Sequence, residues 1–314
     1  MHPALSVIAF TTLSGAGYGL ALVLATGHGN PGFLATKVAW ILALALITIG
    51  LLCSTLHLGN PQRAWRAFSQ WRSSWLSREG VLAVMTYIPV GLLALMSLFM
   101  NEFSSLLGYV ATVLCIATVA STAMSYGSLR TIPAWHTMWT LASYLAISLT
   151  TGTMLYLTFF GREAGTRSAE IWNWLAIVFL IITWGIRMVW MKRARDVGYG
   201  DSSMETATGL GHIGKVRLLE RPHAMGNYLT NEMAFRIARK HEDKFWRITL
   251  VLGLVVPVVC LVIATFAPAL GFLRVLGTAS LFAGVFMDRW LFFAVARHAV
   301  GLYYGGDEAL VPAE

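Results

Sequence analysis

Charge is scarce in this sequence: Asp, Glu, Lys and Arg together make up 12% of 314 residues, against roughly 25% in a soluble domain. That excludes a globule built to sit in water. Cysteine is scarce too. Cys53, Cys115 and Cys260 each lie inside an apolar run, are odd in number and form no CxxC or Cys/His cluster, which excludes a disulfide framework and argues against zinc or a self-ligated iron–sulfur cluster. Acidic residues number 15 against 23 Lys plus Arg, a net charge of +8. The excess does not mark a nucleic-acid face, because the cations stand between long apolar runs instead of in one patch. Residues 1–7 carry no Lys or Arg, so the first apolar run lacks the basic n-region of a cleaved signal peptide and is expected to stay.

Apolar residues make up 57% of the protein, and its mean hydropathy is +0.65. About 20 apolar residues in a helix cross the roughly 30 Å of hydrocarbon in a bilayer. Eight such stretches are expected, near 4–26, 37–57, 80–100, 105–126, 137–160, 170–191, 246–267 and 270–291. The expected fold is an all-α integral membrane protein, one transmembrane domain over 1–314, with eight helices in a bundle. A long polar loop, 192–245, lies between helices six and seven and is the expected docking surface for partner subunits. Within it, residues 230–244 read as an amphipathic helix with Glu232 and Arg236 at i,i+4 spacing. Gly15 and Gly19 give the first span a small-xxx-small spacing suited to close helix approach.

With eight spans, both termini and the even-numbered loops share one face. The odd face holds Lys37, Arg162, Arg167 and Arg274, leaving the other 19 of the 23 cations to the even face. Positive charge resists translocation, most reliably in short loops such as the one carrying Arg63, Arg66, Arg72 and Arg78. The even face and both termini are therefore expected in the cytoplasm, which makes this a multi-pass protein of a bacterial inner membrane.

Gly209, Gly211 and Gly214 spell GxGxxG. No hydrophobic strand precedes them, so a dinucleotide site is rejected in favour of a loop. The informative stretch runs from Ser54-Thr-Leu-His57-Leu-Gly59-Asn60-Pro61 through Arg63 and Arg66 to Ser74-Trp75-Leu-Ser77-Arg78-Glu79-Gly80. Asn60 before Pro61 reads as the start of a short helix, with Trp65, Phe68 and Trp71 available to lie in the membrane interface. Ser77 is a candidate cap for the third span. His57 then ends the second span and Glu79 opens the third. Taken singly, each has a plain reading, a His at a helix C-terminus and a Glu at an N-terminus. Together with Arg63 and Arg78 on one face they suit a site that binds a carbonyl and moves protons, as quinone chemistry requires.

Those residues also carry a resemblance. HLGxPxRA at His57–Ala64 and SWLSRE at Ser74–Glu79 resemble the membrane-anchor subunits of dimethyl sulfoxide reductase-type molybdoenzymes. So do Thr230-Asn-Glu232-Met-Ala-Phe-Arg236, Asp288-Arg289-Trp290 and the stretch ending Leu302-Tyr303-Tyr304-Gly305. The resemblance implies eight spans, no redox metal in this chain, and electron exchange between a quinone, ubiquinone or menaquinone, and a partner subunit holding four iron–sulfur clusters, with a molybdopterin catalytic subunit beyond. It also implies a quinone site at His57, Gly59, Arg63 and Glu79, which the residue reading extends to Arg78, with His57 and Glu79 handling protons. The cytoplasmic face resembles the sulfite-oxidising branch of the family, so sulfite-to-quinone flow is the expected direction. Quinol oxidation for a terminal reductase is the alternative.

Haem b is not expected, because His57, His136 and His298 all fall near span ends while bis-His ligation needs depth in facing helices. Trp135 and His136 either wall the quinone site or anchor the interface. Asp288 and Arg289, near the end of span eight, either pair with neighbours or touch the quinone. Two other classes compete. A proton or anion transporter would use His57, Glu79 and Asp288, but such proteins show broken helices and inverted repeats that are not evident here. A purely structural anchor would leave all electron handling to its partners.

Overall fold

The computed structural model describes residues 4–56, 60–160, 167–220 and 241–304. Among them are eight helices long and apolar enough to cross a membrane and no strand. The first six are α1 (Leu5–Ala25), α2 (Leu34–Leu56), α3 (Trp75–Leu95, prolonged by a π-helical turn Met96–Met100), α4 (Ser105–Gly127), α5 (Met138–Phe160) and α6 (Arg167–Val197). A five-residue α7 (Met204–Thr208) follows on the even face. The seventh span is α8 (Glu242–Leu250), a π turn Val251–Val255 and α9 (Val256–Phe266), and the eighth is α10 (Leu273–Ala294).

Helix α1 is the hub, with 72% of its apolar window buried against 28% for α2. Small residues make this burial feasible. A Cβ on Gly19 would collide with the Ser148 backbone of α5, and one on Gly152 with Gly19 in return. Gly15 is different: a Cβ there would meet open space, and it is the carbonyl that engages α5, accepting from Ser148 Oγ at 2.6 Å. The expected small-residue contact therefore rests on Gly19 and Gly152.

The interruption in span seven has a cause in the sequence. Pro257 has no N–H to give the carbonyl four residues back, Gly253. Trp184 Nε1 on α6 supplies the missing donor at 2.7 Å, and Ser280 Oγ on α10 donates to Leu252 O at 2.7 Å. Bare backbone at Gly253 lets α10 approach through Gly284. In hydrocarbon each freed carbonyl needs such a partner.

Three details differ from the sequence expectations. The cap of α3 is Ser74, whose Oγ accepts from Ser77 N at 3.4 Å, because Trp75–Arg78 already take helical geometry; Ser77 itself is buried. Glu79 thus sits on the second turn and not at the helix opening. Arg274, counted with the odd-face loops, is buried, donating to Asn173 Oδ1 at 3.2 Å and Ala264 O at 3.3 Å. Arg187 and Arg289, counted with the even face, are likewise buried inside the bundle.

The even face is tied together across its loops. Arg195 at the end of α6 pairs with Glu242 and Asp243 at the start of α8, Arg193 donates to Pro133 O at 3.0 Å, and Tyr303 OH donates to Ala207 O at 2.8 Å. Glu232 and Arg236 of the expected amphipathic helix lie outside the described residues. The glycine loop after α7 is irregular, with Gly209 in the left-handed region at φ 71°. Glu205 accepts from Val216 N at 3.1 Å, and backbone N–H donors hold its carboxylate below the usual value.

Candidate functional site

Pro61 fixes the first turn of a 3₁₀ helix, Pro61–Gln70, that buries none of its residues. Its apolar side chains turn back toward the membrane helices. Ala64, Trp65, Ala67 and Phe68 from this helix, Leu51, Ser54 and Thr55 from the end of α2, and Leu76, Glu79, Gly80, Ala83, Val84 and Tyr87 from α3 enclose a cavity of about 390 Å³. Its existence follows from the packing. Helix α2 lies on α1 and α3 lies on α4, so the two diverge toward the even face. Thr48 Oγ1 and Tyr87 OH, 2.6 Å apart, join them at the deep end. At the rim Leu76 and Val84 are 50% and 55% exposed, on a surface that hydrocarbon covers in a membrane, so the cavity opens toward lipid.

Glu79 is the one ionisable group among the residues lining it apart from the Tyr87 hydroxyl. It is 5% exposed. Its two oxygens accept from α4: Thr122 Oγ1 donates to Oε1 at 2.8 Å, and Ser125 Oγ donates to Oε2 at 3.4 Å. Among the described residues no cation pairs with it. A carboxyl at this depth without a counterion is expensive, and residues of that kind sit on substrate or proton routes. Glu79 is thus a buried carboxyl, held by two neutral hydroxyls of α4, at the back of an apolar slot. Thr122 and Ser125 are the site residues that sequence reasoning missed; α4 carries other hydroxyls, Thr112, Thr118 and Ser121 among them, and nothing sets these two apart until α3 and α4 are brought together.

The other sequence candidates fall in several places. His57 and Gly59 lie outside the described residues. Arg63 is exposed on the 3₁₀ helix and does not line the cavity. Arg78 points the other way, donating through Nε to Trp71 O at 3.0 Å and through Nη2 to Arg72 O at 2.7 Å, with its guanidinium 4.3 Å from the Trp75 ring. It fastens the end of the 3₁₀ helix to α3. His136 is exposed, with Nδ1 2.8 Å from Gly127 O at the end of α4. Trp135 is buried, donates from Nε1 to Phe292 O at 2.9 Å, and stacks on the Phe292 ring at 5.3 Å.

Asp288 and Arg289 belong to a second buried group. Asp288 Oδ1 accepts from Arg187 Nε at 2.7 Å, both side chains fully buried. Arg289 lies 3.9 Å above the Tyr144 ring. Arg187 is a partner that the motifs did not reveal, although it is the single charged residue between 171 and 191 and a lone charge in an apolar run is itself a signal. Among the described residues no three His, Cys, Asp or Glu side chains gather as a metal site requires.

Eight helices long and apolar enough to cross a membrane, with a buried carboxyl at the back of an apolar slot between the second and third, define a multi-pass membrane protein. The family described as "DMSO reductase anchor subunit (DmsC)" matches residues 1–295, and the protein belongs to that family. It is 30% identical to a sulfite dehydrogenase subunit of Allochromatium vinosum, over 97% of its own length and 99% of the relative. It is 29% identical to a component of the anaerobic dimethyl sulfoxide reductase of Escherichia coli, over 43% of its own length and 49% of that relative. No solved structure matches the protein significantly.

Proposed function

We propose that this protein is the membrane anchor and quinone-reactive subunit of a heterotrimeric molybdoenzyme in a bacterial inner membrane. Its partners are an iron–sulfur subunit with four clusters and a molybdopterin catalytic subunit. The observation that carries the quinone reading is Glu79, a buried carboxyl without a described counterion at the back of the apolar slot. The volume, about 390 Å³, lies in the range of small-molecule sites, roughly 300–1,000 Å³. The apolar walls suit a quinone ring and the lipid-facing rim suits its tail. A bound quinone would supply two-electron redox chemistry linked to two protons. Glu79 holds and releases a proton toward the slot, Thr122 and Ser125 orient its oxygens, and Tyr87 bounds the deep end. His57, which follows α2 directly in sequence, is assigned as donor to a quinone oxygen, with Glu79 restoring its proton from the even face. Gly59 and Arg63 are assigned to quinone binding on their place in the family motif.

Full-length similarity to a sulfite dehydrogenase subunit favours electron flow from sulfite to quinone, with the even face and both termini in the cytoplasm. Electrons and protons then meet on one side, and the step moves no charge across the membrane. The test is a pair of assays on the assembled complex. His57→Ala and Glu79→Gln are expected to abolish quinone-coupled turnover while electron delivery to a soluble artificial acceptor continues. Normal quinone-coupled rates in both variants would place the site elsewhere. Deleting residues 200–228 should release the partner subunits from membranes that keep the anchor, and cysteine labelling should place residues 60–74 on the cytoplasmic side.

A further inference from the structure

Glu79 stands between two surroundings. On one side is the slot, whose lining includes Glu79 but neither Thr122 nor Ser125. On the other is α4, and the two hydroxyls that meet the carboxyl there are not equivalent. Each has a second acceptor on its own helix, the carbonyl four residues back. Thr122 Oγ1 is 2.8 Å from Glu79 Oε1 and 3.2 Å from Thr118 O. For Ser125 the order is reversed, its Oγ lying 3.1 Å from Ser121 O and 3.4 Å from Glu79 Oε2. A hydroxyl has one proton to donate and two lone pairs that accept. Thr122 therefore commits its proton to the carboxyl, whereas Ser125 keeps its proton on the backbone and turns a lone pair toward Oε2.

The two also differ in what lies beyond them. Thr122 is 5% exposed. Deeper along the same seam Thr118 Oγ1 meets Thr86 Oγ1 at 2.9 Å. These two hydroxyls, 0% and 1% exposed, also reach their own helix carbonyls, Leu114 O at 2.8 Å and Leu82 O at 2.7 Å, so the seam closes on itself in that direction. Ser125 is half-buried although it does not line the slot, and it stands two residues from the end of α4. Ser128, Arg130 and His136 are exposed just past that end, with His136 Nδ1 held 2.8 Å from Gly127 O. Water at the even face reaches this end of α4 without entering the slot.

We propose that Ser125 is the proton relay of Glu79: it passes protons between water at the even-face end of α4 and Glu79 Oε2, while Thr122 holds Oε1 as an acceptor. A proton arriving from water joins Ser125 Oγ as the proton already there passes to Oε2. The new hydroxyl proton then turns to Ser121 O, and Ser125 Oγ accepts from the protonated carboxyl. Only O–H bonds form and break, and no electron moves. In quinone chemistry Ser125 is a positioning residue that acts through Glu79. That part rests on the quinone reading of the slot, whereas the relay rests on the contacts of Glu79 alone.

Exchange of the Glu79 carboxyl proton for deuterium tests the relay in the full-length protein in membranes. The infrared carbonyl band of the protonated acid, identified by its loss in Glu79→Gln, shifts when the protein is moved into heavy water at mildly acidic pH. The rate of that shift is the rate of proton delivery. Ser125→Ala should slow it about tenfold, and Ser125→Thr, which keeps the hydroxyl, should restore it. Thr122→Val should move the band itself, because Oε1 loses its donor, and leave the exchange rate unchanged. An unchanged rate in Ser125→Ala overturns the relay, and so does an equal slowing in Thr122→Val. In the assembled complex Ser125→Ala should lower quinone-coupled kcat about tenfold with KM little changed, and Ser125→Thr should recover the rate. Slowed exchange with unchanged turnover upholds the relay and overturns its part in quinone chemistry.

Discussion

Two polar regions lie near the even face of this bundle, and they treat charge in opposite ways. The slot between α2 and α3 has apolar walls, opens toward lipid and holds one carboxyl bound to neutral hydroxyls. The chamber among α5, α6 and α10 is sealed, is lined by aromatic rings and holds an ion pair with a further arginine. A site that must admit a hydrophobic molecule and change its own protonation state benefits from hydroxyl partners, which tolerate either state. A permanent structural charge needs a permanent partner, and Asp288 supplies one to Arg187.

The largest effect expected from breaking this contrast is at Asp288. Asp288→Ala leaves Arg187 beside Arg289 with no carboxylate in the chamber, and removing one partner of a buried pair costs about 3–5 kcal/mol. The variant should be lost from membranes or unfold many degrees lower in a detergent melting assay, whereas Arg187→Met with Asp288→Leu should recover most of the loss. If the single variant melts normally, the chamber is not the charged structural core described. Next comes Glu79→Gln. It keeps the shape of the slot and removes its titratable proton, so quinone-coupled turnover should fall about 100-fold or more while the protein still inserts and holds its partners. A smaller effect belongs to Trp135→Phe, which keeps the stack on Phe292 and orphans a buried carbonyl. A loss of about 1 kcal/mol in stability is expected, with turnover unchanged; a large kinetic defect would move Trp135 from roof to site. The smallest is Gly80→Ala. The new Cβ would stand 3.3 Å from the Phe68 ring, which is partly exposed and free to shift. KM for a short-tailed quinone should rise about twofold, and the melting temperature should hold or climb because Ala favours helix by about 1 kcal/mol over Gly.

Much of this is legible in the residues alone. Eight apolar runs become eight spans because hydrocarbon accepts backbone only in hydrogen-bonded form. Glu79 stands out because a carboxyl so near an apolar run is costly, and Asn60-Pro61 announces a helix start that the 3₁₀ helix follows. Arg78 groups with Glu79 in sequence because they are adjacent, but adjacent helical positions diverge by about 100°, and the guanidinium turns to the Trp71 and Arg72 carbonyls instead. Asp288 and Arg289 are noticeable without their partner, since Arg187 lies 101 residues away in sequence from Asp288.

Composition and periodicity by themselves determined that this protein lives in a membrane, how many times it crosses, where its cations concentrate, and, through its motifs, which family it joins. These properties depend on solvent and local backbone geometry, which act on each segment separately. Tertiary structure alone decided that Thr122 and Ser125 hold Glu79, that α2 and α3 part to leave a slot, and that Arg187 pairs with Asp288 across 101 residues. Such pairings depend on which helix faces which, set by the fit of small residues such as Gly19 on Gly152, and no single segment carries that information.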